Sequence, residues 1–292
     1  MKVSYRSIVG RGRRWALYKY WHLLRNLFPQ KVLRFRLSDG SRLDYPVQGI
    51  IAGALLADDF EHAEVQFLQS VLRPGNVVID IGANGGVFTV LSARKVGAAG
   101  AVYAFEPGTR ELALLRHNIG LNQLTNVVVV EQAVSNQTGT ARFLVSEDGA
   151  MNSLAQNDHP AQHVIGSEEV LTTTLDTFLE QQHIQCVDLV KVDVEGAEHH
   201  VFEGMSALLA SEHQLILLFE AADSNASGFG YRIWDFLSDL MAKGLHLFYL
   251  TKARKLIAVT TFDPRYGQDI YNFIAFNFDP HRTSRIDASW FK

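Results

Sequence analysis

From Asn76 onward, short apolar runs alternate with longer stretches whose apolar residues recur at helical spacing. The short runs are VVIDIG, AVYAFEP, NVVVVEQAV, VDLVKVDVEG and QLILLFEAA. This alternation predicts an α/β domain with a mostly parallel sheet covered by helices on both faces. The last two runs, LHLFYL and YNFIAFNF, have no long helix between them, so we expect them to end the sheet as an antiparallel pair.

The first thirty residues have a different pattern, in which aromatic and basic residues mix at helical spacing (RRWALYKYWHLLRNLF). A helix here would place four apolar side chains on one stripe, namely Trp15, Tyr18, Leu24 and Phe28. Two roles stay open for it. Residues 11–28 either lie on an anionic membrane surface or dock on the body of the protein or on the second subunit of a homodimer.

The next segment, VLRFRLSDGSRLDYPV, alternates with period two around Asp39-Gly40, a dipeptide typical of a tight hairpin turn. We therefore expect a β-hairpin outside the main sheet. The predicted organisation is an N-terminal extension of basic helix and hairpin over residues 1–58, followed by the main domain over residues 59–292.

Charge is distributed unevenly along the chain. Residues 1–44 contain 11 Lys and Arg against 2 Asp and Glu, which leaves 16 against 29 for the remainder. An acidic body argues against a broad nucleic-acid surface, which needs clustered positive charge. A small-molecule or glycan substrate fits this composition better.

The single cysteine, Cys186, excludes an intrachain disulfide and lies in the apolar stretch CVDLV, so we expect a buried thiol in a reducing compartment. Lys19, His22 and Arg25 interrupt any apolar core of an export signal. Apolar runs such as LILLF are far shorter than the ~20 residues that span a bilayer. The sequence predicts a cytoplasmic protein without a transmembrane helix.

The loop DIGANGG (residues 80–86) follows the first strand of the predicted sheet and precedes a helix. Glycines permit a tight turn and close approach of a ligand, and the helix N-terminus offers free N–H groups. Glu106 ends the next strand, 24 residues beyond Gly82. A carboxylate there accepts hydrogen bonds from both ribose hydroxyls, which indicates a nucleoside-containing cofactor.

Asp80 distinguishes between two cofactors. It stands where the dinucleotide fingerprint G-x-G-x-x-G has its first glycine, and an anion there would repel a pyrophosphate. The same anion suits the ammonium and sulfonium of S-adenosylmethionine. A nicotinamide-dependent oxidoreductase, a non-catalytic assembly protein and a plain β–α turn remain as alternatives.

The stretch KVDVEGAEHH places carboxylates where a strand becomes a helix, and we take Asp193, Glu195 and Glu198 as candidate catalytic residues. Chemistry at a substrate hydroxyl needs that group held in place and its proton accepted, which carboxylates can do. Alternatively, Glu195 and Glu198 cap the helix N-terminus. Lys191 lies on the same side of the strand as Asp193 and is expected to pair with a carboxylate.

Other polar residues widen the candidate site without completing a metal-ligand set. Glu220 ends the strand next to Asp193, and two such carboxylates leave Mg²⁺ binding open. His199 and His200 are adjacent, so we expect a packing or surface role for each. Asp223–Gly230 is a candidate substrate rim.

The polar excursion MNSLAQNDHPAQHVIGSEEV is a candidate lid or substrate loop, with a solvated connection as the alternative. It contains four polar residues that we expect to contact no core: Asn152, Ser153, His159 and His163. His159 or His163 is an alternative general base, because histidine titrates near neutral pH.

Several of these blocks together resemble the FkbM-type methyltransferase family. VIDIGANGG, AFEP with RHNIGLN downstream, EQAVSNQTGTA, TTLD and KVDVEGAE follow in the family's order, from about residue 60 to residue 249. The resemblance implies a seven-stranded class I methyltransferase fold and S-adenosylmethionine as methyl donor. It also implies O-methylation of a hydroxyl on a sugar, a polyketide or another natural product.

The resemblance also implies roles for single residues. The loop residues would line the methionine and ribose parts of the cofactor: Asp80, Gly82, Ala83, Asn84 and Gly85. Glu106, followed by Pro107, would hold the ribose. Ala133, within residues 131–134, would contribute its backbone to the adenine edge, Asp193 would face the transferred methyl group, and Glu61 would lie close to the cofactor.

Overall fold

The computed structural model describes residues 11–155 and 162–292. The chain divides into two compact units, of which the first ends at His62 and the second begins at Ala63. The division of roles expected between residues 1–58 and 59–292 stays a prediction. His159 lies outside the described residues.

The first unit contains the expected helix and hairpin. Its elements are α1 (Arg11–Leu27), β1 (Val32–Arg36), β2 (Arg42–Pro46) and α2 (Ile50–Leu56). β1 and β2 pair antiparallel in a two-stranded sheet of their own. Gly40 has a φ of 87° at the turn, a conformation that glycine adopts without steric cost. The predicted hairpin is confirmed.

The buried stripe of α1 differs from the predicted one. Trp21 and Leu24 are buried against Val47, and Trp21 Nε1 donates a hydrogen bond of 2.7 Å to the Val47 carbonyl. Trp15 is 64% exposed and Phe28 is 54% exposed, so they do not share the buried face of Leu24, and the expectation of one stripe was wrong for these two. Phe28 lies beyond the end of the helix. With 3.6 residues per turn, Trp15 points about half a turn away from Leu24.

The main sheet of the second unit has eight strands in the order β5-β4-β3-β9-β10-β13-β11-β12. The bounds are β3 (Val77–Ile81), β4 (Ala101–Phe105), β5 (Val127–Val130), β9 (Leu189–Val192), β10 (Ile216–Glu220), β11 (His246–Leu250), β12 (Leu256–Ala258) and β13 (Asn272–Phe276). β5, β4, β3, β9 and β10 run parallel, and β13 is antiparallel to β10 and β11. The antiparallel pair is confirmed, and β12 adds an eighth strand to the seven expected.

Helices cover both faces of this sheet, as predicted. The helices are α3 (His62–Val71), α4 (Val87–Val96), α5 (Thr109–Leu121), α6 (Leu175–Gln181), α7 (Glu198–Glu203), α8 (Ser206–Leu209), α9 (Asp223–Ala226) and α10 (Ile233–Ala242). Phe178, Phe202 and Phe236 share a core with one face of the strands. On the other face, Leu115 of α5 packs on Ala104 of β4.

Part of the polar excursion forms strands. β6 (Ala133–Val134), β7 (Gly139–Ser146) and β8 (Val164–Thr173) build a second sheet in the order β6-β8-β7. Asn152 and Ser153 are buried, so the expectation that they contact no core was wrong. The Asn152 side chain accepts a hydrogen bond of 2.8 Å from the Ser146 N–H, and Ser153 pairs with Leu144 as a β-bridge.

Cys186 is exposed, which corrects the expectation of a buried thiol. It precedes β9, and burial begins only at the next residue, Val187. Among the described residues, no helix combines the length and the apolar character that crossing a membrane requires.

Candidate active site

The candidate site lies along the edge of the main sheet where the parallel strands end. In the registers of β3 with β4 and β9, Ile81 pairs with Phe105 and with Val192. The residues that follow these three strand ends, Gly82, Glu106 and Asp193, therefore leave the sheet side by side.

Gly82 fixes the start of the loop 82–86. Its φ is 78°, and a Cβ built at this position would lie 1.8 Å from the carbonyl oxygen of Asp193. The N–H groups of Gly82 and Ala83 both donate to the Phe105 carbonyl, at 3.0 and 2.9 Å. Glycine is required here, because any side chain would push the end of β9 away. The loop is thereby held between β4 and β9.

Glu106 accepts backbone hydrogen bonds with both carboxylate oxygens. Oε2 accepts from the Asn84 N–H and Oε1 from the Gly108 N–H, each at 2.8 Å. Burial raises the pKa of Glu106 to about 8, and the two N–H donors act in the opposite direction. A carboxylate oxygen can accept more than one hydrogen bond, so each oxygen of Glu106 can still accept one from a ligand hydroxyl.

Two asparagines hold the loop from either side. Asn84 adopts a left-handed φ of 48°, which asparagine tolerates better than most residues. Its Nδ2 donates to the Gly149 carbonyl at 3.1 Å, which ties the loop to the segment after β7. Asn118 is buried in α5 and donates to the Gly85 carbonyl at 2.7 Å. Asn118 was missed as a candidate, although it lies within the RHNIGLN block.

Asp80 is buried at the end of β3. Its Oδ2 accepts a hydrogen bond of 2.5 Å from the Thr89 hydroxyl at the start of α4. Its Oδ1 is also buried and has no hydrogen-bond partner in the described part of the chain. Burial raises the pKa of Asp80, and the charge of Lys191 opposes that rise. An unsatisfied buried acceptor beneath a glycine loop is unusual in a structure and suits a cationic or hydrogen-bond-donating ligand.

Lys191 and Asp193 form an ion pair at the end of β9. Lys191 Nζ lies 2.9 Å from Asp193 Oδ2, which confirms the expected pairing. The ammonium also lies 5.0 Å from the centre of the Phe88 ring, within cation–π distance. The Asp193 side chain is 24% exposed and so can reach a substrate.

Glu195 is held in a left-handed conformation, with a φ of 55°. Its Oε2 accepts a hydrogen bond of 2.6 Å from Asn225 Nδ2, and its carbonyl accepts one of 2.8 Å from the Ser153 hydroxyl. Burial, followed by the charges of Asp193 and Glu220, raises the pKa of Glu195 well above its ordinary value. Positive φ at a non-glycine residue stores strain and is typical of functional sites.

Glu198 holds the turn that precedes α7, and the N-cap of that helix makes no side-chain cap hydrogen bond. Its Oε1 accepts from the N–H groups of Gly196 and Val194, at 3.1 and 3.3 Å. The Tyr231 hydroxyl lies 3.2 Å from Glu198 Oε2 and 2.9 Å from the Gly196 carbonyl oxygen. Burial raises the pKa of Glu198 to about 7, and burial together with the charge of Glu198 raises that of Tyr231. A catalytic role for Glu198 stays a prediction.

Glu220 completes the acidic group at the end of β10. Burial, followed by the charges of Asp193 and Glu198, raises its pKa to about 8. We refer to Asp193, Glu195, Glu198 and Glu220 as the carboxylate cluster. Within the described ranges, no group of three or more His, Cys, Asp and Glu side chains is arranged to hold a metal ion. The structure therefore gives no support to Mg²⁺ binding.

The two histidines after the cluster pack against aromatic rings, as expected. The His199 ring lies 5.2 Å from the Tyr231 ring, and the His200 ring lies 5.4 Å from the Phe229 ring. Phe229 belongs to the predicted rim 223–230. Asn225, in the same rim, packs against the backbone of Gly196, which lies between Glu195 and Glu198. A Cβ built on Gly196 would lie 2.2 Å from the Asn225 carbonyl oxygen. His163 is exposed.

For three further candidates, the structure gives a position but no contact that assigns a role. Ala133 is buried and pairs with Thr172 in the second sheet. Pro107 is half-buried directly after Glu106. Glu61 belongs to the first unit and has a φ of 32°. Their contacts with a cofactor stay predictions.

Comparison with known families identifies the second unit. The model of the methyltransferase FkbM domain matches residues 80–247, which is more than half of the chain. The chain belongs to the FkbM methyltransferase family. The resemblance seen in the sequence is confirmed, and the sheet described above is the sheet of a class I methyltransferase.

The chain is also similar to individual FkbM-type relatives. It is 29% identical to the 31-O-demethyl-FK506 methyltransferase FkbM of Streptomyces tacrolimicus, over 46% of this chain and 61% of that protein. It is 29% identical to the 2-O-methyltransferase NoeI of Sinorhizobium fredii, over 48% and 61%. It is 27% identical to the hexuronic acid methyltransferase AglP of Haloferax volcanii, over 55% and 63%. The aligned region thus spans about three fifths of each relative's length.

Proposed function

We propose that this FkbM family member is an S-adenosylmethionine-dependent O-methyltransferase whose acceptor is a hydroxyl of a small molecule, a natural product or a glycan. One observation carries the proposal. The backbone of Asp193 lies directly against Gly82, so the loop assigned to the cofactor borders the carboxylate cluster. Transfer between two bound reactants needs their sites to be contiguous.

The residues around the loop fit this cofactor. Glu106, fixed by two backbone donors, is placed to accept hydrogen bonds from the ribose hydroxyls. The unsatisfied Oδ1 of Asp80 favours a positively charged ligand and disfavours a pyrophosphate. When bound, S-adenosylmethionine supplies an electrophilic methyl group on a positively charged sulfur.

The carboxylate cluster performs the remaining chemistry. In the proposed reaction the acceptor oxygen would form a bond to the methyl carbon as the carbon–sulfur bond breaks, and the hydroxyl proton would pass to a carboxylate of the cluster. Asp193 is the proposed acceptor of that proton, because its side chain is partly exposed and Lys191 holds Oδ2 in place. We assign Glu198 and Glu195 to positioning, since backbone and amide groups occupy their carboxylates.

The relatives support the kind of acceptor. The names of two of them specify transfer to an oxygen, and the third is named for a sugar acid. Which hydroxyl this chain modifies, whether it forms a homodimer and whether it is cytoplasmic stay predictions.

Calorimetric titration of the full chain with S-adenosylmethionine and with NADH tests the cofactor. We expect saturable binding of the first only, weakened about tenfold in Glu106→Gln, because the amide nitrogen cannot accept a hydrogen bond and an unsatisfied buried donor costs ~1–3 kcal/mol. Glu212→Gln, at an exposed position, is the matched control and should bind normally. Binding of NADH instead would favour the oxidoreductase, and binding of neither would favour a non-catalytic assembly protein.

Transfer itself is then followed with the radiolabelled methyl group against a panel of hydroxylated sugars and polyketides. The proposal requires label in an alkali-stable ether linkage on at least one acceptor. If the protein binds S-adenosylmethionine and Asp193→Asn transfers label as fast as the unchanged chain, the assignment of Asp193 is wrong.

A further inference from the structure

Helix α1 has a second apolar face that the other described residues of the first unit, 28–62, leave exposed. Tyr18, Trp21 and Leu24 point to the hairpin and α2. On the other side of the helix, Tyr20 is 51% exposed, Leu23 53% and Leu27 60%. With Ala16, these residues follow the spacing i, i+4, i+7 and i+11, so they form one continuous stripe. We refer to Ala16, Tyr20, Leu23 and Leu27 as the outer stripe.

Within α1, the charged residues that border the outer stripe are cations. The sequence of α1 contains no Asp or Glu. At 100° per residue, Arg13 and Lys19 fall on opposite sides of the stripe. Lys19 Nζ lies 5.5 Å from the centre of the exposed Trp15 ring, and Lys31 Nζ lies 5.7 Å from the ring of the exposed Phe28 just beyond the helix.

Two further cations of α1 are engaged within the unit. Arg14 forms an ion pair of 2.8 Å with Asp59, and Arg25 Nε donates to Gln48 at 2.9 Å. These contacts fix the rotation of the helix about its axis. The outer stripe is thereby presented to the outside with Arg13 and Lys19 along its two borders.

We propose that the outer stripe of α1 binds the surface of an anionic lipid bilayer, with the helix lying parallel to the membrane. Leucine and tyrosine side chains would enter the boundary between headgroups and acyl chains. Trp15 suits that boundary because its ring is apolar and its N–H is polar. The lysine and arginine stems would extend their charges to the phosphates.

The positive charges along α1 favour an anionic bilayer over a second copy of the chain as the partner of the outer stripe. A two-fold contact through the outer stripe would bring Arg13 and Lys19 of one copy towards the same residues of the other, with no carboxylate in either helix to compensate. A bilayer that contains anionic lipid supplies the missing charge over the whole length of the helix. The inference therefore goes beyond the proposed methyl transfer and does not depend on it.

Flotation of the full chain with vesicles tests the proposal. We expect the protein to float with vesicles of mixed phosphatidylglycerol and phosphatidylcholine, to stay behind with phosphatidylcholine alone, and to be released by high salt. The variant Leu23→Asp with Leu27→Asp should lose flotation. Lys19→Ala should weaken partitioning about fivefold, the loss expected for one basic residue at an anionic surface.

A matched control comes from the second unit, where Phe262 is 60% exposed. Phe262→Asp removes a comparable apolar side chain and should float like the unchanged chain. Circular dichroism of each variant reports folding, and Lys19→Ala keeps the test decisive if the double aspartate variant unfolds, because Lys19 contributes nothing to the buried face.

Two results would overturn the proposal. The first is failure of the unchanged chain to float with phosphatidylglycerol vesicles. The second is flotation that neither Lys19→Ala nor the double variant reduces. Light scattering then shows whether the stripe is a subunit contact instead, since the double variant would be smaller than the unchanged chain.

Discussion

The carbonyl oxygen of Asp193 occupies the place where a side chain on Gly82 would begin. A Cβ on Gly82 would lie 1.8 Å from that oxygen, and Gly82 has a φ of 78°. The segments that follow β3 and β9 therefore meet through a close contact of backbone atoms. This contact joins the loop proposed for the cofactor to the residue proposed as base, and it makes Gly82 the position where binding and catalysis are most directly linked.

Gly82→Ala should lower the Tm and abolish binding of S-adenosylmethionine. The substitution adds a clash with backbone, which cannot rotate away, to the ~1 kcal/mol cost of a left-handed φ. Gly244→Ala is the matched control, because Gly244 has a φ of 86° and a Cβ there would meet nothing within 4 Å. Thermal unfolding and calorimetry measure the two effects. Equal losses in both variants would mean that conformation alone, and not the Asp193 contact, matters at Gly82.

The sequence predicts the elements around this contact well, because their signals are local. The apolar runs that became β3, β4, β9 and β10 each have an acidic residue at or next to the strand end, and parallel strands bring such ends to one edge. The insertion of β13 between β10 and β11 has no such signal. Periodicity identifies a strand and its faces but contains no information on which neighbour it pairs with.

The second sheet was missed for a related reason. Most residues of β8 are exposed, so the strand lacks the alternation of apolar and polar residues that marks a half-buried strand. Partners of the cluster were missed because they are distant in the chain. Ser153 reaches the Glu195 carbonyl across 42 residues, and Tyr231 reaches Glu198 across 33. A polar residue in a loop gives no sign of such a contact.

Asp193→Asn should lower kcat for methyl transfer by about 10²–10⁴-fold, the usual contribution of a general base. The amide keeps the size of the side chain but cannot accept the hydroxyl proton. Affinity for S-adenosylmethionine should stay within about threefold of the unchanged chain, a change of less than ~1 kcal/mol, because the carboxylate is proposed to act on the acceptor hydroxyl. Asp239→Asn, on the exposed side of α10, is the control and should leave both quantities unchanged.

Tyr231→Phe should lower kcat without preventing folding. The change removes the hydroxyl that lies between Glu198 and the Gly196 carbonyl, and it keeps the ring that packs on His199 and Phe236. Loss of one buried hydrogen bond costs ~1 kcal/mol of unfolding free energy. Urea unfolding and steady-state kinetics measure both quantities, with Tyr271→Phe at a partly exposed position as control. Unchanged kcat would show that Tyr231 serves stability alone.

Folding stability should fall as the pH rises from about 5 to 8, because three glutamates have pKa values in the folded protein above their ordinary value of 4.5. Burial raises the pKa of Glu106 and Glu220 to about 8 and that of Glu198 to about 7. In this range the folded chain binds more protons than the unfolded chain. By linkage, the stabilisation is complete below the ordinary pKa and is lost as the pH passes the folded-state values.

The Tm should therefore be lower at about pH 8.5 than at about pH 5.5, with each kcal/mol lost worth roughly 2–4 °C in a chain of this size. Glu220→Gln should flatten this dependence, because the amide carries no charge at any pH and removes one of the groups that must ionise in a buried place. Glu212→Gln, at an exposed position, should leave the dependence as it is. Scanning calorimetry across the range measures the slope, and a Tm that rises with pH in the unchanged chain would contradict the assigned burial of the cluster.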